Sequence, residues 1–345
     1  IFENKEIDLD VALIQVSPPD KYGYCSLGIS VDITLAGMKN AQMVIAQVNP
    51  LMPRTLGDSL VHIDSIDYMV EYEEPLVEVF STQKDETVTK RIAHYVNMLV
   101  DDGATIQIGF GHLPSAILAH LSDKKDLGLH TQLIRDEHLP LFEKKVITNR
   151  RKNYIPNRVV ASLCMGSRKL YEYVHKNPMF FFRSSEFVND PNFIAKNDNL
   201  ISISSALEVD LTGQVCSDSK DLLFYSGMGT QVDFIRGASM SKGGFSIMVL
   251  PSTAQNGKVS RIVPFLSEGA GVATTRGDVD IIVTEYGIAE MGRRSISQRV
   301  IELARIAHPK FRTWLIEEAK KRRYVFPDQL PLITEDLIFL ESYRG

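Results

Sequence analysis

Short apolar runs closed by proline, glycine or asparagine alternate along this chain with stretches whose apolar residues recur every three or four positions. The first kind reads as buried strands and the second as amphipathic helices. Val11 to Val16 is an apolar run that must give way to a loop at Ser17-Pro-Pro-Asp20, because two prolines continue neither a ladder nor a helix. Met43 to Val48 is the next, closed by Asn49-Pro50 and by a turn through Pro53, Arg54, Gly57 and Asp58. Thr105 to Ile108, Val159 to Cys164, Phe245 to Leu250 and Val279 to Val283 follow, and Leu200 to Ser204 alternates as a half-buried strand.

Between these runs, Val88, Ile92, Val96 and Leu99 mark a helix that Asp85 or Thr87 can cap and Asp101-Asp102-Gly103 stops. Arg168 to His175 predicts a short helix. Ser295 can cap another, and His308-Pro309 starts the last, with Phe311, Trp314 and Leu315 facing the core. Strands interleaved with helices predict an α/β protein built on open sheets.

Length changes this picture first, because 345 residues exceed one ordinary core and imply two domains. The acidic stretch from Glu71 to Asp85 is the natural boundary, giving domains at 1–84 and 85–325 with a tail or linker at 326–345. A net charge of −5 argues against a nucleic-acid groove, and the basic run Arg150-Arg151-Lys152-Asn153 reads as a solvated face. Cys25, Cys164 and Cys216 are unevenly spaced without CxxC, so neither a disulfide framework nor a metal site is signalled. No apolar run reaches membrane-spanning length and no signal peptide opens the chain, which reads as cytoplasmic. The start at Ile1, just before a strand pattern, reads as a piece lacking its natural N-terminus.

Candidate chemistry gathers at two glycine-rich turns. After the strand Thr105 to Ile108, Gly109 and Gly111 permit a tight turn and Pro114 suits the first helical position, so backbone amides there can meet an anion or an oxyanion. A structural βα turn satisfies the same letters, and the dinucleotide fingerprint does not fit because Pro114 stands where a third glycine belongs. Gln132 follows at what reads as the next strand's end. Later, Gly227, Gly229, Thr230 and Gln231 precede Arg236, Lys242, Gly243 and Gly244, a set that can hold a phosphate or thioester oxygen, or form plain turns. Arg54 and Asp58 fit a ligand-contacting loop or a solvated turn, and His308 reads as a helix-start residue rather than a base. HExxH, GxSxG and Walker patterns are absent from the sequence.

Taken together these segments resemble the acetyl-CoA hydrolase/transferase family, class I CoA-transferases that include the 4-hydroxybutyrate CoA-transferases. The resemblance is carried by Val11 to Asp20, Asn49-Pro50 with Pro53 to Asp58, Glu208 to Gly213, Ser252-Thr253 with Ser260 to Pro264, Val283 to Ala289, and Ile306 to Pro309. It implies two open-sheet NagB/CoA-transferase-like domains, the first truncated at its N-terminus, with the active site between them. It implies acyl-CoA and a small carboxylate as substrates, no metal, and a homo-oligomer. Backbone amides that polarise the thioester oxygen would fall at Leu113 and at Gly229-Thr230, where the family usually has Gly-Gly. Gly109, Gly111, Gly227, Gln231, Lys242, Gly243 and Gly244 would surround coenzyme A.

The family's nucleophile is a glutamate in a Thr-Glu motif, which passes through an acyl-glutamyl anhydride and a glutamyl-CoA thioester. Here the motif reads Thr131-Gln132. A neutral carboxamide is a far poorer nucleophile than a carboxylate and has no simple route to an anhydride, although it can orient a water for thioester hydrolysis. Asp136 cannot substitute, since four residues along a strand place it roughly 13 Å away. Thr131-Gln132, with Asp136-Glu-His-Leu-Pro-Leu-Phe-Glu-Lys144 just beyond it, also resembles the CoA-transferase-like region of bacterial proteins that continue into a GNAT-type acetyltransferase domain. A replaced nucleophile gives the same letter. Two functions therefore compete: a CoA-transferase or CoA-thioester hydrolase, and a non-catalytic acyl-CoA-binding module.

Overall fold

A computed structural model of the chain describes residues 1–80, 87–220 and 222–329, with the side chain of residue 220 left aside. The expected cap at Asp85, the boundary at residues 84 and 85, and the tail beyond residue 329 lie outside the described residues. The chain packs as two compact units, one of residues 1–82, 103–107 and 124–197, the other of 83–102, 108–123 and 198–345. It crosses from one to the other within the strand Thr105–Ile108.

In the first unit, Leu9–Val16, Ala41–Val48 and Tyr68–Glu71 form a parallel sheet in that order, with Val11 opposite Met43 and Ile45 opposite Tyr68. The helix Thr34–Asn40 connects the first two strands and buries Leu35 and Met38. Ala12, Ile14, Val16, Val44, Ala46 and Val48 are buried, whereas Val11, Leu13, Met43, Tyr68 and Val70 are exposed on the other face. A second set of pairings in this unit joins Thr105 and Ile106 to Gly128 and Leu129, His130 to Val160, and Val159–Ala161 to Phe180–Phe182. The run expected from Val159 to Cys164 breaks into Val159–Ala161 and Leu163–Cys164. The break falls where the amides of Ser162 and Leu163 both converge on the Gln132 carbonyl, at 3.1 and 3.0 Å.

In the second unit, Leu200–Ser205, Phe245–Val249 and Ile281–Thr284 run parallel, and Gly287–Glu290 returns antiparallel against the last. The helices Gln231–Met240, Thr87–Leu99 and Ile296–Ile306 pack against these strands. Ile235, Met248, Ile282, Val300 and Leu303 belong to one buried apolar cluster of this unit. Leu200 to Ser204 is buried throughout rather than half-buried, because the parallel sheet is covered on both faces.

Helix ends follow the sequence closely here. Ser295 accepts from the Gln298 amide while the Gln298 side chain accepts from the Ser295 amide, a reciprocal cap. His308 caps Pro309–Lys321 by accepting from the Lys310 amide. That helix buries Arg312, Leu315, Ile316 and Ala319, and the expectation for Trp314 fails, since it is 42% exposed. Arg312 takes the inward place because its guanidinium donates to the Ala307 carbonyl and lies over the Tyr286 ring. Among the described residues no helix is long and apolar enough to cross a membrane.

Candidate functional site

Gln132 belongs to the first unit and sits between the short strands Gly128–Leu129 and Leu133–Ile134. Its backbone is heavily restrained. The carbonyl accepts from the amides of Ser162 and Leu163 and from Ser162 Oγ at 3.0 Å, and the preceding Thr131 amide donates to Val160 at 3.0 Å. His130 is fully buried, with Nε2 2.8 Å from the Val188 carbonyl and Nδ1 3.1 Å from Asn197 Nδ2. Burial, with the nearby Lys152 charge, pushes its pKa down to about 3, so the imidazole stays neutral. Gln132 itself remains half-buried at the end of this rigid segment.

Asp136 is committed elsewhere. It accepts from the Ser167 amide at 2.9 Å and from Ser167 Oγ at 2.8 Å, fixing the entry to the helix Arg168–Val174. Arg54 pairs with Asp20 at 2.6 Å and donates to the Tyr24 carbonyl, and Asp58 pairs with Arg183. These charges hold loops of the first unit together. A cleft of about 270 Å³ in the same unit, lined by Pro50, Leu51, Pro53, Tyr171 and His175 among others, contains none of the candidate residues.

Arg150, Arg151 and Asn153 are exposed as the solvated-face reading expects, and Lys152 alone departs from it. Lys152 is 4% exposed, and its Nζ donates to the carbonyls of Leu129 at 3.2 Å and Arg158 at 2.9 Å. Burial lowers its pKa to about 7. A run of basic letters looks the same whether it is solvated or one member folds inward. In the fold Gly128 makes room for it, since an added Cβ there would stand 2.4 Å from Lys152 Cγ.

The two glycine turns lie in the second unit. Gly111, at φ +130°, precedes the helix His112–Ala119, which begins two residues before the expected Pro114 and places Leu113 in its first turn. A Cβ on Gly109 would meet Ser204 Oγ at 3.0 Å and the Ile203 carbonyl at 3.1 Å, so this turn rests on the end of the strand Leu200–Ser205. Thr230 precedes the helix Gln231–Met240, which packs on that same strand and its neighbour. Gly229 has φ +58°, and nothing crowds Gly227 or Gly229, both of which are exposed. Gln231 points its amide to Ser217 Oγ and Thr274 Oγ1, at 2.9 and 3.1 Å. These turns occupy the carboxyl end of the parallel strands, where open α/β sheets commonly receive ligands.

Lys242, Gly243 and Gly244 are not brought to that end. Lys242 accepts from the Asn199 amide, and a Cβ on Gly244 would meet the carbonyls of Ala238 and Leu200 at 2.6 Å, which places the turn at the amino end of the strands. Arg236 is paired with Asp278 at 3.2 Å. Gly244 is explained by close backbone approach, and Gly243 by its φ of +73° beside the Asn199 side chain, without a ligand.

Comparison with known proteins agrees over nearly the whole length. The N-terminal domain model of acetyl-CoA hydrolase/transferase matches residues 1–81 and the C-terminal model matches residues 166–319. A 4-hydroxybutyrate coenzyme A transferase of Clostridium kluyveri is 50% identical over 322 residues, covering 93% of this chain and 75% of that protein. The chain belongs to the acetyl-CoA hydrolase/transferase family. Among solved structures, RipA from Yersinia pestis superposes with a TM-score of 0.88 at 39% identity, over 94% of this chain and 73% of that one. The 4-hydroxybutyrate CoA-transferase of Porphyromonas gingivalis gives 0.82 at 40% identity, over 93% and 77%.

Proposed function

We propose that this protein acts on CoA thioesters, either moving CoA from an acyl-CoA to a small carboxylate or hydrolysing the thioester. The observation that carries this reading is the 50% identity to a 4-hydroxybutyrate coenzyme A transferase across 93% of the chain. In this reading Gln132 occupies the reaction centre, and the amides of Leu113, Gly229 and Thr230 receive the thioester oxygen as charge develops on it. Gly109, Gly111 and Gly227 let backbone and ligand approach closely. Gln132 cannot form an anhydride readily, so it orients the attacking water or carboxylate by hydrogen bonds. We take 1–84 and 85–325 as its sequence modules, distinct from the two compact units, and infer that the protein works in the cytoplasm as a homo-oligomer.

The test is turnover of acetyl-CoA with and without a labelled carboxylate acceptor. Label in the CoA ester identifies a transferase, and free CoA without label identifies a hydrolase. Gln132→Glu is expected to yield a covalent intermediate that hydroxylamine or borohydride traps. Absence of both turnover and CoA-ester binding in either form would sink the proposal.

The carboxamide at position 132 favours one second reading, a CoA-ester-binding module without turnover that serves a fused or separate acetyltransferase. Tight CoA-ester binding with neither transfer nor hydrolysis is its expected signature.

A further inference from the structure

We infer that Lys152 is a positioning residue that fixes the segment carrying Gln132 from beneath, an inference that rests on Gln132 as the reaction centre. The geometry is a clamp between two strands. One ammonium donates to the carbonyl of Leu129, three residues before Gln132, and to that of Arg158, just before the strand Val159–Ala161. Beyond the clamp the same two segments hold each other, through Thr131 to Val160 and through Ser162 and Leu163 to Gln132. The seat for the lysine is built. Gly128 omits the Cβ that would meet the lysine's Cγ at 2.4 Å and Thr105 Oγ1 at 2.8 Å.

An apolar residue in this place would remove the ammonium's bonds to the Leu129 and Arg158 carbonyls, and a partly satisfied buried network costs more than a complete one. The next restraint along the chain is His130, whose neutral ring bridges toward Val188 and Asn197. Lys152 and His130 therefore pin the segment on consecutive residues, 129 and 130. Misplacement by a fraction of an ångström at a reacting group is enough to lower a rate without weakening ground-state binding.

The experiment compares wild type, Lys152→Met, Lys152→Arg and Gln132→Ala in the full-length protein, with acetyl-CoA as the probe. Lys152→Met keeps the length of the stem and removes the donors. Expected for it are a kcat lower by about tenfold, a KM for acetyl-CoA within about twofold, and partial recovery in Lys152→Arg. Amide exchange at residues 130–134 should accelerate by about tenfold, while residues 245–249 of the second unit stay unchanged. A folded Lys152→Met with wild-type kcat and unchanged exchange at 130–134 overturns the clamp. If Gln132→Ala leaves turnover intact, the reaction-centre reading falls by itself, and the exchange result alone then upholds or overturns the clamp. Should Lys152→Met fail to fold, Gly128→Ala presses on the same stem, and faster exchange at 130–134 in it is the supporting result, unchanged exchange the opposing one.

Discussion

In the first unit the strand Leu9–Val16 buries Ala12, Ile14 and Val16 but leaves Val11 and Leu13 at 42% and 77% exposure. In the second, Leu200–Ser205 buries residues of both faces from Leu200 to Ser204, including Ser202 and Ser204, and leaves Ser205 half-buried. Both strands pair parallel with their neighbours, and in sequence the first reads as an apolar run and the second as a half-buried alternation. The difference shows that an apolar run records residues suited to burial without recording the layer that buries them. A second contrast lies in the interiors. The second unit joins a buried apolar cluster to buried Asp210, Asp218, Glu285, Arg299 and Arg312, while the first encloses His130, His138 and Lys152, basic groups whose pKa values burial lowers.

The largest expected effect tests the sheets directly. Ile203→Asp places a carboxylate in the fully buried strand of the second unit, and it should cost roughly 5 kcal/mol or more, enough to abolish cooperative folding. Denaturant titration followed by circular dichroism checks it. A stable, cooperatively folded Ile203→Asp protein would mean that this sheet is no better covered than the first.

Acid sharpens the contrast between interiors. His130 and His138 have folded-state pKa values lowered to about 3 and about 4 by burial, against an ordinary value near 6.5. Above pH 6.5 both states hold these rings neutral and their contribution is complete. As pH falls from 6.5 toward 3, the unfolded chain binds protons that the folded one refuses, so stability is lost, by a few kcal/mol per ring at most. Lys152 acts in the other pH range. Its folded pKa of about 7 lies below the usual lysine value, so stability rises as pH increases from 7 to about 10. The first unit should therefore open before the second at pH 4, read as earlier exchange of residues 128–134 than of 245–249. The sole tryptophan, Trp314, reports on the second unit by fluorescence. Simultaneous loss of both signals would remove this distinction.

A smaller effect concerns the capped helix of the second unit. Ser295→Ala removes the oxygen that accepts from the Gln298 amide and should cost about 1 kcal/mol, seen as a lower thermal midpoint with unchanged secondary structure.

That cap was legible in the sequence because capping is local: a serine, a glutamine three residues on, and an apolar stripe between them and the core. The same holds for His308-Pro309, for the strands, and for the turn at Gly109 and Gly111, whose letters demand special backbone. Legibility ends where distant segments meet. The letters Arg-Arg-Lys do not tell which cation folds inward, and only the approach of Gly128, Leu129 and Arg158 selects Lys152. Likewise Gly243 and Gly244 read like ligand glycines until Asn199 is seen against the first and Leu200 and Ala238 against the second. Trp314 was misplaced because helical spacing alone does not tell that Arg312 would take the inward position.

The smallest expected effect closes the comparison of the two sheets. Leu13 stands on the exposed face of the first sheet, next to Val11 on its own strand and in a cross-strand row with Ile45 and Tyr68. Leu13→Asp adds a charge where water already reaches, so it should alter stability by no more than about 0.5 kcal/mol, an order of magnitude below Ile203→Asp. The same face is contiguous and apolar, which also predicts that the substitution reduces self-association or dye binding at high protein concentration. Chemical denaturation at low and high concentration separates the two quantities. A loss of 2 kcal/mol or more at low concentration would show that Leu13 is covered in solution, and the two sheets would then differ in sequence detail but not in burial.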